Sequence, residues 1–333
     1  MSVTIKDIAK LAGVSHTTVS RALNNSPLIK NETKNKIKEI AKQLNYVPDI
    51  SAKNLVTHRT FNIGLFFSTL NIETTPSFFN QTVKGVNSII KDRYNLIVKG
   101  IDEYKDFRLI TPKRFDGIIL MSQTEKDDLF IYNVIEKKIP IVVLNREIKN
   151  DKVISILTDD KAASKQAVKY LIDNGHKDIA IILGKEGFKS TEKRRQGYFE
   201  ALVENNIMIN KEYIAQGNYD FKSGYIEMKK LLALSNIPTA VFCSNDDMAI
   251  GAMNAIFEAG LKIPEDISVM GFDDNGVSQF LIPSLTTVNR HIEQIGMEGA
   301  KTILEFVEKG NGNGMIRYMD AELVIRKSVK NII

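Results

Sequence analysis

Apolar positions in the first sixty residues recur at helical spacing, and turn-forming residues separate the runs. Ile5, Ile8, Ala9 and Ala12 fall on one helix face, because side chains three and four apart lie above one another. Thr4 stands at the N-cap with Asp7 as its capping-box partner, a pairing that satisfies amides the first turn leaves open. Gly13 breaks this helix. A second starts at Ser15, with Val19, Ala22 and Leu23 as its buried stripe. A third runs from about Asn31, with Ile37, Ile40, Ala41 and Leu44 facing inward. Pro48 ends it, since proline cannot continue a helix, and Asp49 to Arg59 follows as a short polar segment containing Leu55.

From Phe61 the pattern alternates between strand and helix. Apolar runs recur at Asn62–Phe67, Leu96–Gly100, Gly117–Met121, Pro140–Leu144, Asp178–Leu183, Ala240–Cys243 and Ile267–Gly271. Amphipathic stretches separate them, among them Phe79–Lys91, Ala163–Asn174, Lys193–Glu204, Gly224–Leu234 and Met248–Ala259. Such alternation predicts parallel sheets joined by right-handed crossovers. Two such units are expected, with their seam near Thr158–Asp160. The chain has no low-complexity linker and no solenoid period.

The 333 residues exceed one ordinary core, so two or three domains are expected. No apolar run approaches the roughly 20 residues of a membrane-spanning helix, and no membrane partner is expected. The N-terminus lacks the apolar stretch of a secretory signal. The single cysteine, Cys243, cannot form an intrachain disulfide and fits a reducing cytoplasm. The four histidines are scattered and give no metal-ligand spacing; no metal or cofactor is expected. The net charge of +5 is unevenly placed: the first sixty residues carry a net +6 and the remainder −1. A basic head on a near-neutral body points to a polyanion at one end, although a solvated charged surface would look the same.

Lys6–Asn24 has the helix, small turn and second helix that a major-groove reader needs. His16, Thr17 and Arg21 project from the exposed face of the second helix. Arginine bonds guanine O6 and N7 bidentately, and histidine and threonine can meet base edges or a thymine methyl. Thr4, Ser15, Thr18, Ser20 and Asn24 are short polar groups suited to phosphate oxygens, which set register without reading sequence. A generic three-helix bundle with a solvated face is the alternative.

Ser15-His16-Thr17-Thr18-Val19-Ser20-Arg21-Ala22-Leu23-Asn24, Leu44-Asn45-Tyr46-Val47-Pro48-Asp49 and Ala52-Lys53-Asn54-Leu55 follow one another in this order. This series resembles the headpiece and hinge of the lactose/galactose repressor (LacI/GalR) family of bacterial transcription regulators. The resemblance implies that Lys53 and Leu55 lie in a hinge that folds on DNA, where a leucine pair wedges into a minor-groove step. Such a wedge unstacks bases and bends the duplex. Lys30 stands where the family places a Ser/Thr cap, and Asp49 replaces the usual Asn.

The resemblance extends over the body. Phe115–Leu120, Asn174–Ile182, Arg194–Leu202, Asn245–Ala252, Ile263–Asp274 and Pro283–Val288 match family blocks. It implies an all-α helix-turn-helix headpiece plus an α/β body of two Rossmann-like lobes, similar to periplasmic sugar-binding proteins. The expected domains are a headpiece at 1–47, a hinge at 48–60 and an effector-binding and dimerisation body at 61–330. Lobe one takes 61–158 and 288–316, and lobe two 159–287 and 317–329.

Ligands of such folds bind at strand carboxyl ends, between the lobes. Ser68, Asn145, Asn245 and Asp273 each follow an apolar run, Arg194 opens a helix after Gly187, and Tyr219 lies after Gly217-Asn218. These match the family's effector contacts. Asp273 and Asn245 can accept from hydroxyls, Arg194 can donate, and Tyr219 can lie against a ring face. Arg195 is the alternative to Arg194. Arg290 replaces the Gln of some relatives and favours an acidic or phosphorylated ligand. The segment Pro76-Ser77-Phe78-Phe79 resembles maltose-type regulators, where aromatic residues stack an extended sugar; burial on a dimer-facing helix explains Phe78 and Phe79 equally well.

The expected protein is a homodimeric, cytoplasmic repressor of carbohydrate-use genes, not an enzyme. It binds a near-palindromic operator and is controlled by a sugar or sugar phosphate. A catabolite-control regulator answering to a phosphocarrier protein is the alternative. A solute-binding protein or a sugar-processing enzyme, using pairs such as Asp273-Asp274, Asp246-Asp247 or Asp159-Asp160, fits the headpiece less well.

Overall fold

The computed structural model describes residues 3–23, 25–46, 59–70, 74–104, 106–310 and 313–333. Two compact units divide at Phe61. The N-terminal unit contains helices α1 (Ile5–Ala12), α2 (His16–Leu23) and α3 (Asn31–Gln43). The Asp7 carboxylate accepts from the Thr4 N–H at 2.8 Å and from its hydroxyl at 2.7 Å. Gly13 closes α1 at φ 70°, a left-handed turn in which glycine carries no Cβ penalty. The Ser15 hydroxyl accepts from the Thr18 N–H at 3.1 Å and starts α2. No side-chain cap precedes α3 at Lys30. Ile8, Val19, Ala22 and Ile37 are fully buried, with Leu23, Ile40 and Leu44 packed partly buried around them. The apolar stripes read from the sequence are the core.

The second unit holds two parallel sheets. The first has the order β11-β5-β4-β3-β1-β2, with β1 (Asn62–Phe67), β2 (Asn95–Gly100), β3 (Gly117–Met121), β4 (Ile141–Leu144), β5 (Ile154–Thr158) and β11 (Met315–Met319). The second has the order β7-β6-β8-β9, with β6 (Ile179–Leu183), β7 (Ile214–Gln216), β8 (Ala240–Cys243) and β9 (Ser268–Met270). A two-stranded antiparallel pair, β10 (Thr287–Asn289) and β12 (Glu322–Val324), completes the strands. Helices α4 (Pro76–Ile90), α5 (Asp128–Glu136) and α10 (Ile292–Lys309) belong to the first sheet. Helices α6 (Asp160–Asp173), α7 (Lys189–Glu204), α8 (Phe221–Leu232) and α9 (Asp246–Glu258) belong to the second. Strands β3, β4, β5, β6 and β8 are buried along their whole length, as sheets covered on both faces require. Helices α4 and α10 approach until a Cβ on Gly85 would lie 2.1 Å from the Glu293 carbonyl oxygen.

The chain passes between lobes three times: between β5 and α6, between β10 and α10, and between β11 and β12. At the second passage, backbone bonds from Gly271 to Thr286 and from Asp273 to Val288 tie β10 to lobe two. The expected boundary at 316/317 falls inside β11, which pairs with Ile154–Thr158 along its whole length. The change of lobe therefore comes at Asp320–Ala321, and within the 317–329 expected for lobe two only Glu322–Val324 is a strand of that lobe. Several helices also begin about a turn before the amphipathic pattern. Asp159, Asp220 and Asn245 cap α6, α8 and α9 by accepting from the amides of Ala162, Ser223 and Met248. Such polar first turns carry no apolar periodicity.

Candidate effector site and DNA-reading face

A cavity with about 370 Å³ of atom-free space, part of it open to solvent, lies between the lobes. The space within it that a water-sized sphere can occupy is only about 40 Å³, well below the roughly 300 to 1,000 Å³ of ligand sites. Its lining includes Asn145, Arg194, Tyr219, Asn245, Asp273 and Arg290, six of the seven expected effector residues. Thr75, Phe78, Gln123 and Ser190 complete it. Ser68 stands apart: its hydroxyl donates to Asp127 Oδ2 at 2.6 Å and accepts from the Gln123 N–H at 2.9 Å. It fixes a lining residue and does not line the cavity itself.

The polar wall is built from charges far apart in sequence. Asp160 Oδ2 accepts from Arg194 Nε at 3.0 Å and from Arg290 Nη1 at 3.2 Å. Asp273 Oδ1 lies 3.5 Å from Arg194 Nη2 and 3.6 Å from Arg290 Nε. Arg290 Nη2 donates to Asn145 Oδ1 at 2.8 Å, while its buried Nε has no hydrogen-bond partner. Both arginines are only 2% exposed, so two cations and two carboxylates share a space that water barely enters. Arg194 also donates to the Ser244 carbonyl and lies 4.0 Å above the Phe272 ring. Burial works against its charge, but Asp160, Tyr219 and Asp273 more than offset that and raise its pKa. Burial pushes the Asp273 carboxyl up, against the pull of Arg194 and Arg290. Arg195 is exposed, so Arg194 is the arginine at the cavity. It sits in the second turn of α7, not at the helix start, because α7 begins at Lys189.

Three lining residues hold left-handed backbones: Asn145 at φ 68°, Tyr219 at 66° and Asp273 at 108°. Such conformations cost roughly 1–3 kcal/mol each and gather where a side chain must be aimed. Asn245 supports one of them. Its Oδ1 caps α9, and its Nδ2 donates to the Tyr219 carbonyl at 2.9 Å. Its acceptor is thus engaged, leaving an amide N–H and not the oxygen for a ligand. The Tyr219 hydroxyl hydrogen-bonds with Ser190 and Thr191 at 3.0 and 2.9 Å, which anchors the ring next to Phe188. Phe78 lines the cavity, while Phe79 packs on Phe67 with ring centroids 5.2 Å apart.

The carboxylate pairs are engaged in structural bonds. Asp246 accepts from the Asn275 N–H, Ser278 and Thr287 at 2.7, 2.6 and 2.5 Å, joining α9 to the second passage between lobes. Burial pushes its carboxyl up to about 7, against those three bonds. Asp247, also pushed up to about 7, chiefly by burial and then by the Asp273 charge, accepts from Asn275 Nδ2 at 2.6 Å. Asp159 caps α6, and Asp274 accepts from Arg326 at 2.7 Å. Burial pushes the Cys243 thiol up, away from the thiolate form that reacts. Among the described residues no cluster of three or more His, Cys, Asp or Glu is arranged to hold a metal ion, and no helix is long and apolar enough to cross a membrane.

On the N-terminal unit, Thr4, Ser15, His16, Thr17 and Arg21 are exposed, and Thr18 and Ser20 are half-buried. His16, Thr17 and Arg21 lie on α2 opposite the buried Val19 and Ala22. Asn24, Lys53, Leu55 and most of the expected hinge lie outside the described residues.

Residues 4–49 match the model of bacterial regulatory proteins of the lacI family, and residues 168–329 match a periplasmic binding protein-like domain. The chain is 54% identical over 330 residues to the "Probable HTH-type transcriptional repressor ExuR" of Bacillus subtilis (strain 168), covering 99% of both chains. It is 37% identical over 339 residues to the "HTH-type transcriptional repressor PurR" of Histophilus somni (strain 129Pt), again covering 99% of both. The solved lac repressor dimer bound to operator and the anti-inducer ONPF superposes with a TM-score of 0.84 at 26% identity, covering 99% of this chain and 100% of that one. The complex of the transcriptional regulator CelR with cellobiose does so with a TM-score of 0.74 at 27% identity, covering 98% and 99%. Similarity of this extent, running through headpiece and body alike, means that this chain belongs to the lacI family of bacterial transcription regulators.

Proposed function

We propose that the protein is a repressor whose hold on operator DNA is set by a small sugar-like effector carrying an anionic group. The observation that carries this reading is the pair of buried arginines, Arg194 and Arg290, in the cavity wall. Arg194 and Arg290 can each turn a donor from Asp273, 3.5 and 3.6 Å away, to a ligand oxygen, and Asp273 and Asn145 suit hydroxyl groups. Relatives support the two halves of the reading: one solved neighbour holds cellobiose and another is a dimer on its operator. An effector that prefers one arrangement of the lobes shifts DNA affinity by that preference and no more.

In this reading the headpiece (1–47) reads DNA through His16, Thr17 and Arg21, with Thr4, Ser15, Thr18, Ser20 and Asn24 on phosphates. The hinge (48–60) supplies Lys53 and Leu55, and the body (61–330) binds effector and partner, with lobe two resuming near Asp320. A second copy of the chain is the partner, since a palindromic site requires two-fold symmetry. Exposed Phe221, Phe257 and Ile282 around an apolar groove on α8 and α9 supply a surface for it. The protein acts in the cytoplasm, where bacterial DNA lies, and works by binding; Asp159, Asp246, Asp247 and Asp274 are engaged in structural bonds.

The test is titration of an operator-like palindrome at fixed salt with glucose, cellobiose, glucose 6-phosphate, gluconate, glucuronate and galacturonate. A shift of tenfold or more by an acid, and not by its neutral counterpart, supports the reading. A shift by neutral sugars alone overturns the anionic part. Tight DNA binding that no compound changes overturns effector control and leaves a protein co-regulator.

A further inference from the structure

Helix α7 carries Ser190 and Arg194 into the cavity, yet its own start is uncapped: Phe188 at the N-cap offers no side-chain acceptor. The first amide of a helix needs a partner from outside the helix. Here it comes from the opposite lobe, as the Lys189 N–H donates to the Gln123 carbonyl at 3.0 Å. The Lys189 ammonium reaches in the same direction and pairs with Glu125 at 2.8 Å, while holding Glu192 of its own helix at 3.0 Å. The receiving carbonyl is fixed in turn. The Gln123 N–H donates to Ser68 Oγ at 2.9 Å and to Asp127 Oδ2 at 3.2 Å, and Asp127 also accepts from Ser68 and Ser122 at 2.6 Å each.

We infer that Lys189 is the latch between the lobes: its amide and ammonium hold Gln123 and Glu125 across the cavity mouth and stabilise the closed arrangement. The inference rests on the reading that an effector binds between the lobes. When the lobes part, the α7 amide must turn to water and the ion pair is lost, so Lys189 favours closure without touching the ligand. It is a positioning residue, and Ser68 and Asp127 stand behind it. The ion pair is exposed enough for water to weaken it, with Glu125 69% exposed. Exposed pairs of this kind change an equilibrium by about two- to fivefold.

Hydrogen exchange of the full-length protein, followed by mass spectrometry, reads the latch without any ligand. Lys189→Met and Glu125→Gln should each speed exchange in the first turn of α7 by about two- to fivefold. In a Glu192→Gln background, which removes the second partner of Lys189, the charge swap, Lys189→Glu with Glu125→Lys, should restore the rate of that background within about twofold. Lys189→Pro removes the amide while suiting the first position of a helix, and the extended Phe188 (φ −85°, ψ 133°) tolerates a following proline. This variant should open α7 more than Lys189→Met does. Lys193→Met, one turn along the same helix, should change nothing. Unaltered exchange in the Lys189 variants, or a swap whose effects add instead of cancelling, overturns the latch. Glucuronate binding by the same variants gives the second reading: wild-type protein that ignores every sugar acid refutes the anionic effector, while the exchange rates still decide the latch.

Discussion

Arg290→Gln tests the charge argument most directly. Glutamine keeps an amide that can reach Asn145 or Asp160 but removes one of the two buried cations. Asp160 and Asp273 then share only Arg194, and the cavity wall changes from neutral to a net charge of −1. Removing one partner of a buried ion pair usually costs about 3–5 kcal/mol of stability. The loss here should fall below that range, because burial already raises the Asp273 pKa and the carboxyl can take up a proton once Arg290 is gone. Binding suffers differently. A sugar acid loses a charge-assisted hydrogen bond, about 1.5–3 kcal/mol, or roughly 10- to 150-fold in affinity. The matched neutral sugar should lose far less. Calorimetric titration of both proteins with glucuronate and glucose separates the two effects. The sign with pH is also fixed: without Arg290 the Asp273 carboxyl holds its proton to higher pH, so lowering the pH should recover sugar-acid affinity in the variant. An unchanged acid-to-neutral affinity ratio in Arg290→Gln would refute the assignment of Arg290 as the anion's partner.

Asp273→Ala should abolish the effector response while leaving operator affinity within about twofold, read by DNA titration with and without effector; equal loss of both would mark a structural role. Arg21→Ala should cost about 1–3 kcal/mol of operator binding and relax specificity at one base pair, measured against a library of operator variants. Gly85→Ala should destabilise the body by about 1–3 kcal/mol in urea unfolding, because its Cβ would meet the Glu293 carbonyl of α10. Gly276→Ala, with open space around it, should be nearly neutral. Burial, with the Asp273 charge behind it, pushes the Asp247 carboxyl up to about 7, well above the ordinary carboxylate range, so the unfolded chain ionises first. Stability should therefore fall as pH rises from about 4 to 7, by at most on the order of 4 kcal/mol, and level off above. Asp247→Asn should reduce that slope in urea titrations across the range, with the share of the similarly raised Asp246 remaining.

What the sequence reveals differs between the two units for a physical reason. In the N-terminal unit the partners are near neighbours. Asp7 caps Thr4 three residues away, Ser15 caps Thr18 three residues on, and the buried stripes follow the helical period. Local pattern is then nearly the whole structure. In the body the strands were legible as apolar runs because parallel sheets are covered on both faces, but helix starts were displaced wherever the first turn is polar. The lobe change near Asp320 was misplaced because β11 is mostly exposed or half-buried and carries no long apolar run to mark it.

The cavity shows the same limit more sharply. Strand-end position, together with family resemblance, found six lining residues, since the carboxyl ends of parallel strands are where such folds gather polar groups. It also selected Ser68, which has the same position but whose hydroxyl is engaged by Asp127 and Gln123. Strand-end position can say that a side chain is near the cleft, not which way its hydrogen bonds run. Gln123 and Ser190 were missed for the complementary reason: nothing in their neighbouring residues distinguishes them from ordinary loop and helix-start polar groups. Their role exists only through contacts such as the bond from Lys189 to Gln123 and that between Ser190 and Tyr219. Arg290 and Asn145, 145 residues apart, make the same point from the other side. Each reads as an isolated polar residue, and only the fold turns them into one wall in which a charge lost from one lobe changes what the other can bind.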